Sequence, residues 1–165
     1  MTDDMIPGAN GSLTLNLGWK GGFYTLTVFG GPYDRFPNET NDYGVCVRAE
    51  RAPKNKLHMH VPIMDFSIPI DDENVRLALR EAFRAAIDGK RVYVGCMGGY
   101  GRTGLFLALM AKVAGVEDPV RYVRRYYSTR AVETVLQEEY VEMFDVTQVR
   151  QEVRKYAWRK RFRFA

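Results

Sequence analysis

The stretch "VYVGCMGGYGRTGLFLALM", from Val92 to Met110, decides the fold, because it predicts a buried strand, a glycine-rich loop and a buried helix in succession. The compact apolar run before Cys96 predicts an interior strand. The run after Thr103 is apolar on nearly every face, which is typical of a central helix. With several strand candidates before it and several helix candidates after it, this passage predicts an α/β architecture.

The loop inside this stretch carries a thiol, three glycines and an arginine. Backbone N–H groups in such a loop, together with the N-terminus of the next helix, form a cradle for an anion. Gly98, Gly99 and Gly101 allow the backbone to approach a ligand closely. Arg102 can hold two phosphate oxygens with its planar guanidinium, and these groups also stabilise a thiolate at Cys96. The alternative is a glycine-rich turn beside a buried cysteine.

Cys96 to Thr103, C-M-G-G-Y-G-R-T, resembles the signature loop Cys-x-x-Gly-x-x-Arg-Ser/Thr of the cysteine-dependent protein tyrosine phosphatase superfamily. The resemblance implies that Cys96 attacks phosphorus, that Arg102 stabilises the transition state and that Thr103 assists the thiolate. It implies that phosphate is bound by Met97, Gly98, Gly99, Tyr100, Gly101 and Arg102. It also implies that the reaction needs no metal and no cofactor.

An acid is also expected, because an alkoxide or phenoxide leaves poorly without a proton. The segment "PIMDFSIP" at 62–69 resembles the Pro-x-x-Asp-x-x-x-Pro acid loop of compact dual-specificity phosphatases, and its Asp65 lies 31 residues before Cys96. The resemblance implies that Asp65 acts as acid and then as base. Asp71 and Asp72 compete for this role, although capping of the next helix accounts for both. An Asx turn between two prolines is the alternative for Asp65.

Two further positions bear on the resemblance. Gln137, in "VETVLQEEY", is a candidate for positioning the water of a second step, and a capping box that begins at Thr134 accounts for it nearly as well. Gly95 stands where the family usually has a buried histidine that orders the loop. We therefore expect an intact phosphate cradle in which the cysteine lacks its usual support.

Composition sets the broad class. The chain of 165 residues is 46% hydrophobic and carries a net charge of +4, as expected of a globular domain. It has two cysteines, Cys46 and Cys96, and lacks a short-spaced Cys/His cluster, so neither a disulfide framework nor a zinc site is expected. Neither a signal peptide nor an apolar run of about 20 residues is evident, which predicts a cytoplasmic protein with no membrane association.

The predicted organisation is one phosphatase-like domain over 1–165. It comprises a divergent N-terminal part (1–44), a catalytic core (45–148) and a basic C-terminal helix or tail (149–165). The predicted fold is α/β, with a central mixed β-sheet flanked by helices, similar to dual-specificity phosphatases. Strands are expected near 23–29, 45–49, 57–63 and 91–94, with helices beginning after Asp71 or Asp72, after Asp118 and after Thr134.

The resemblance implies a phosphatase that hydrolyses phosphomonoesters through a cysteinyl-phosphate intermediate. The expected substrates are phosphotyrosine and/or phosphoserine and phosphothreonine of proteins. One alternative is a phosphate-binding pseudophosphatase, suggested by Gly95. Another is an RNA 5′-triphosphatase acting on a phosphorylated RNA end, suggested only by the basic, aromatic tail.

Overall fold

The computed structural model describes residues 6–19 and 21–163, and these form a mixed sheet with helices. The strands are β1 (Gly11–Trp19), β2 (Gly22–Pro32), β3 (Asp42–Cys46), β4 (Met59–His60) and β5 (Arg91–Cys96). The helices are α1 (Asp72–Ile87), α2 (Gly101–Val113), α3 (Pro119–Tyr126), α4 (Val135–Met143) and α5 (Thr147–Arg163), with a 3-10 turn at Tyr33–Arg35. The sheet order is β1-β2-β5-β3-β4, in which only β1 and β2 pair antiparallel. The predicted α/β class with a mixed sheet is confirmed.

The sheet has two different faces, because side chains alternate along each strand. On β5, Val92, Val94 and Cys96 belong to a large core that includes residues from all five α-helices. Tyr93 points to the opposite face and joins a smaller cluster with Ile6, Phe29, Tyr33, Phe36 and Cys46. β5 is the central strand of the sheet, so the loop that follows it emerges at the middle of the fold.

The helices begin where the sequence predicts. Asp71, Asp118 and Thr134 each accept a backbone N–H of the first turn of α1, α3 and α4. Gly89, at φ +87°, follows the last turn of α1 in the left-handed conformation that glycine tolerates. Most of α2 is buried, as its nearly uniform apolar sequence predicts.

The N-terminal part differs most from the sequence-based expectation. β1 was not predicted, although Leu13, Leu15 and Leu17 alternate and are fully buried against the helices. Its abundant glycine and asparagine masked this alternation. The candidate strand at 57–63 is reduced to the two residues of β4, and β3 begins at Asp42 instead of Val45.

The predicted segment 149–165 is helical as far as the structure describes it, and it packs on the core through Val149, Val153 and Ala157. Trp158 and Phe162 are half exposed, and their rings contact each other in a tilted arrangement with centroids 5.2 Å apart. The predicted segments 1–44 and 149–165 extend beyond the described residues, which exclude 1–5, 20, 164 and 165. Within the described ranges, no helix combines the length and apolarity that crossing a bilayer requires.

Candidate active site

Cys96 lies at the end of β5, where the strand passes into the Cys–Arg loop (Cys96 to Thr103). Its side chain is only 3% exposed, and its Sγ accepts the backbone N–H of Gly99 at 3.2 Å. The loop therefore curls over the sulfur, with at least one amide aimed at it. The N-terminus of α2 begins at Gly101 and adds the partial positive charge of a helix end.

The outer side of the loop is held by side chains from elsewhere in the chain. The Nδ2 of Asn10 donates to the carbonyl of Gly98 at 2.8 Å, and the hydroxyl of Tyr127 donates to the carbonyl of Gly99 at 2.6 Å. Gly99 has φ +82°, and a Cβ there would lie 2.4 Å from the carbonyl carbon of Gly31. Glycine is required at this position both for its backbone conformation and for its close packing on β2.

Arg102 is 2% exposed and has three acceptors around its guanidinium. It donates to the carbonyl of Ile63 at 2.8 Å and forms a two-point ion pair with Glu50 at 2.5 and 2.9 Å. The hydrogen bond from Arg102 is the main cause that lowers the pKa of Glu50 from its usual 4.5 to about 2. Glu50 was not predicted from the sequence, because a single glutamate in the segment after β3 carries no motif.

Asp65 lies beside this arginine, with its Oδ1 3.7 Å from the Arg102 Nε. The same oxygen accepts the N–H of Phe66, whose backbone is left-handed at φ +62°. The two competing acids lie elsewhere, since Asp71 caps α1 and Asp72 accepts the hydroxyl of Tyr140. The structure therefore brings Asp65 to the loop and leaves Asp71 and Asp72 away from it.

A pocket of about 250 Å³ opens above the loop. Its lining comprises Asp65, Phe66, Cys96, Met97, Gly98, Tyr100, Gly101, Arg102, Arg130 and Glu133. The guanidinium of Arg130 stacks on the Tyr100 ring at 4.0 Å and forms one wall. Thr103 follows Arg102 in α2, and its fully buried hydroxyl has no hydrogen-bond partner among the described residues. The pocket thus unites the predicted thiol, arginine and carboxyl group. The hydroxyl of Thr103 belongs to the next residue in the chain after Arg102.

Several solved phosphatase structures share this arrangement of strands and helices. Kinase associated phosphatase (KAP), with its catalytic-site cysteine changed to serine, matches at TM-score 0.58 and 16% identity, over 84% of this chain and 96% of that chain. Tk-PTP in its active form matches at TM-score 0.56 and 25% identity, over 92% and 99%. The core catalytic domain of the PP-IP phosphatase SIW14 of S. cerevisiae matches at TM-score 0.52 and 18% identity, over 71% and 75%.

The chain has the fold of the cysteine-dependent protein tyrosine phosphatase superfamily, in its compact dual-specificity form. By sequence, it is 45% and 40% identical over 83 residues to two uncharacterized proteins of Methanocaldococcus jannaschii. These 83 residues are 50% of this chain, and the chain spans about half the length of the relatives it matches, 56% and 52%. No protein-family model matches the chain.

Gly95 has a steric explanation within this phosphatase fold. A Cβ at residue 95 would lie 2.7 and 2.8 Å from the Cα and N of Tyr33, and 2.9 Å from the Gly31 carbonyl oxygen. These are backbone atoms of β2 and of the 3-10 turn, so they cannot move aside as a flexible side chain would. The histidine usual in the family does not fit this backbone, and the missing support for the loop has to come from other residues.

Gln137 does not line the pocket. Its side chain is fully buried, its Oε1 accepts the N–H of Glu133, and its Nε2 donates to the carbonyl of Ser67. Thr134 caps the backbone N–H of Gln137, as the capping box predicts. The glutamine connects the segment at 62–69 to α4, and its role in positioning water stays a prediction.

The second cysteine is separated from the site by the sheet. Cys46 is paired with Gly95 in the β3–β5 register and belongs to the small cluster, whereas Cys96 belongs to the helix-covered core. Across residues 6–19 and 21–163, no group of three His, Cys, Asp or Glu side chains is arranged to hold a metal ion. The pocket also includes Phe66, Arg130 and Glu133, for which the sequence predicts no catalytic or phosphate-binding role.

Proposed function

We propose that this protein is a phosphatase that hydrolyses phosphomonoesters through a cysteinyl-phosphate intermediate. The observation that carries the proposal is the convergence of Cys96, Arg102 and Asp65 on one pocket whose floor is the Cys–Arg loop. A buried thiol, a fixed guanidinium and an adjacent carboxyl group together have the chemistry of a nucleophile, an anion clamp and a proton donor.

In the first step the Cys96 sulfur bonds to phosphorus while the ester P–O bond breaks, and the leaving oxygen takes a proton from Asp65. Arg102 and the amides of the loop hold the phosphoryl oxygens as negative charge redistributes over them. The Gly99 N–H already points at the sulfur. The Thr103 hydroxyl, which has no partner within residues 6–19 and 21–163, is available to stabilise the thiolate.

In the second step water attacks phosphorus, the S–P bond breaks and the water proton passes to Asp65, now a base. This exchange of roles needs an accessible carboxyl group near the phosphate. The side chain of Asp65 is 61% exposed and lies at the edge of the pocket, next to Arg102. Both steps use groups of the protein and the solvent alone.

The rim of the pocket supports phosphoproteins as the substrate class. Half-exposed Phe66 and Met97 lie beside the nucleophile, and the Arg130–Tyr100 stack forms another wall. Such a rim suits a phosphorylated side chain, phosphotyrosine and/or phosphoserine and phosphothreonine, presented by a protein segment. None of the pocket-lining residues belongs to α5, so the geometry adds no support to the RNA 5′-triphosphatase hypothesis.

The proposal is tested by hydrolysis of 4-nitrophenyl phosphate and of phosphotyrosyl and phosphoseryl peptides, with and without EDTA. Activity should resist EDTA and disappear in Cys96→Ser, whereas Cys46→Ala should retain it, because Cys46 lies on the other face of the sheet. Phosphopeptide binding without turnover would favour the pseudophosphatase alternative. A fully active Cys96→Ser protein would refute the proposed mechanism.

A further inference from the structure

We propose that Asn10 and Tyr127 form a brace that holds the Cys–Arg loop in its anion-binding conformation. The brace takes the place of the histidine that is usual at position 95 and does not fit there in this chain. This inference deepens the proposed function, because it identifies what orders the loop in a chain without that support. Both residues are positioning residues, since neither lines the pocket.

The first contact acts through the peptide that joins Gly98 to Gly99. In a trans peptide the C=O and the N–H point in opposite directions. Here the C=O of Gly98 points outward to the Asn10 Nδ2 at 2.8 Å, while the N–H of Gly99 points inward to the Cys96 sulfur at 3.2 Å. Holding the carbonyl from outside therefore aims the amide that stabilises the thiolate.

The second contact acts in the same way on the next peptide. The C=O of Gly99 accepts the Tyr127 hydroxyl at 2.6 Å, and the N–H of Tyr100 on the same trans peptide therefore points away from Tyr127. The tyrosine directly follows α3 and is buried, and this burial raises its pKa well above the usual range. Its hydroxyl therefore stays protonated and remains a donor. Two successive amides of a glycine-rich loop are thus oriented by two side chains.

The brace is fixed at both ends. The backbone N–H of Asn10 donates to the carbonyl of Gly30 at 2.8 Å, and Ile6, at 2% exposure, anchors the N-terminal segment in the small cluster. The ring of Tyr127 occupies the space that a side chain at Gly30 would fill, since a Cβ there would lie 2.6 Å from the hydroxyl. The absence of a side chain at Gly30 of β2 therefore leaves room for the tyrosine to reach the loop.

The test compares Asn10→Ala and Tyr127→Phe with two matched controls. Asn41→Ala removes an exposed asparagine whose amide also donates to a glycine carbonyl, that of Gly89, away from the pocket. Tyr122→Phe removes a hydroxyl on α3 that donates to Thr14 in β1. Two quantities are measured for each protein: kcat/KM on 4-nitrophenyl phosphate, and the rate of Cys96 alkylation by iodoacetate between pH 5 and 9. Mass spectrometry confirms the alkylated cysteine.

Loss of either contact should lower the alkylation rate near pH 6 and kcat/KM by about five- to ten-fold, the effect of one hydrogen bond. The alkylation profile should also move to higher pH, a change that global destabilisation alone does not produce. Both controls should stay within about two-fold of the wild type, because their hydrogen bonds lie outside the loop. Alkylation profiles of Asn10→Ala and Tyr127→Phe that match the wild type would overturn the brace.

The two proposals fail in different ways. If the wild-type protein hydrolyses no phosphomonoester but the brace variants still shift the alkylation profile, the brace stands and the proposed function falls. If phosphatase activity is present and neither variant changes the alkylation or kcat/KM, the function stands and the brace falls.

Discussion

Replacing Gly95 by histidine, the residue usual in the phosphatase family, is predicted to destabilise this chain instead of improving it. The smallest side chain already creates the conflict, since a Cβ would lie 2.7 to 2.9 Å from three backbone atoms of Gly31 and Tyr33. Relief requires the 3-10 turn or β2 to move away from β5. The variant Gly95→Ala measures the effect of the Cβ alone, and Gly95→His adds the effect of the imidazole ring.

Overpacking a well-packed site costs about 1–3 kcal/mol. For a domain of this size each kcal/mol lowers Tm by about 2–4 °C, so Tm should fall by about 2–12 °C, with Gly95→His at the upper end. Activity should fall as well, because Gly95 directly precedes Cys96, the proposed nucleophile, and Gly31 also packs on Gly99.

Thermal unfolding by calorimetry, together with kcat/KM on 4-nitrophenyl phosphate, measures both effects. Gly18 in β1 provides the matched control, since a Cβ there meets no atom within 4 Å. Gly18→Ala and Gly18→His should therefore change stability by only about 0.5 kcal/mol. A Gly95→His protein with an unchanged or higher Tm and a higher kcat/KM would refute the steric argument.

Glu50→Gln should lower kcat/KM about ten-fold, because the ion pair that fixes Arg102 is lost, whereas Glu39→Gln, at a surface pair, should have little effect. Since folding lowers the pKa of Glu50 from 4.5 to about 2, its contribution to stability is complete above pH 4.5 and is lost as the pH falls toward 2. The stability of Glu50→Gln should thus depend less on pH in this window. A pH dependence of stability equal to that of the wild type would contradict the pairing of Glu50 with Arg102. Asp65→Asn should lower kcat on phenyl phosphate by about 10²-fold or more, and less on 4-nitrophenyl phosphate, whose leaving group needs little protonation. Asp72→Asn serves as its control, and an equal loss on both substrates would argue against Asp65 as the acid.

The sequence was most informative where the residues that determine the local fold and the residues that could carry the chemistry lie in one short segment. The Cys–Arg loop, the strand before it and the helix after it were predicted because the spacing of glycines, cysteine and arginine is local. Asp65 was predicted by its flanking prolines, and the structure places it beside Arg102. The starts of the helices were also predicted, because a capping residue lies next to the helix that it caps.

Long-range partners could not be predicted in this way. Glu50 contacts Arg102, Asn10 contacts Gly98 and Tyr127 contacts Gly99 across many residues of sequence. Such contacts depend on strand order and on which face a side chain occupies. The importance of Gly95 was apparent from the sequence, but its cause was not, because the atoms that exclude a side chain there come from β2 and the following turn.

The most direct test of the central claim is to trap the covalent intermediate. The protein is mixed with ³²P-labelled aryl phosphate, quenched in acid within milliseconds to seconds, and analysed by gel and by mass spectrometry of its peptides. We predict label on the peptide that contains Cys96, in wild type and in Cys46→Ala, and none in Cys96→Ser. Active turnover with no label at Cys96, or with label that persists in Cys96→Ser, would contradict the account.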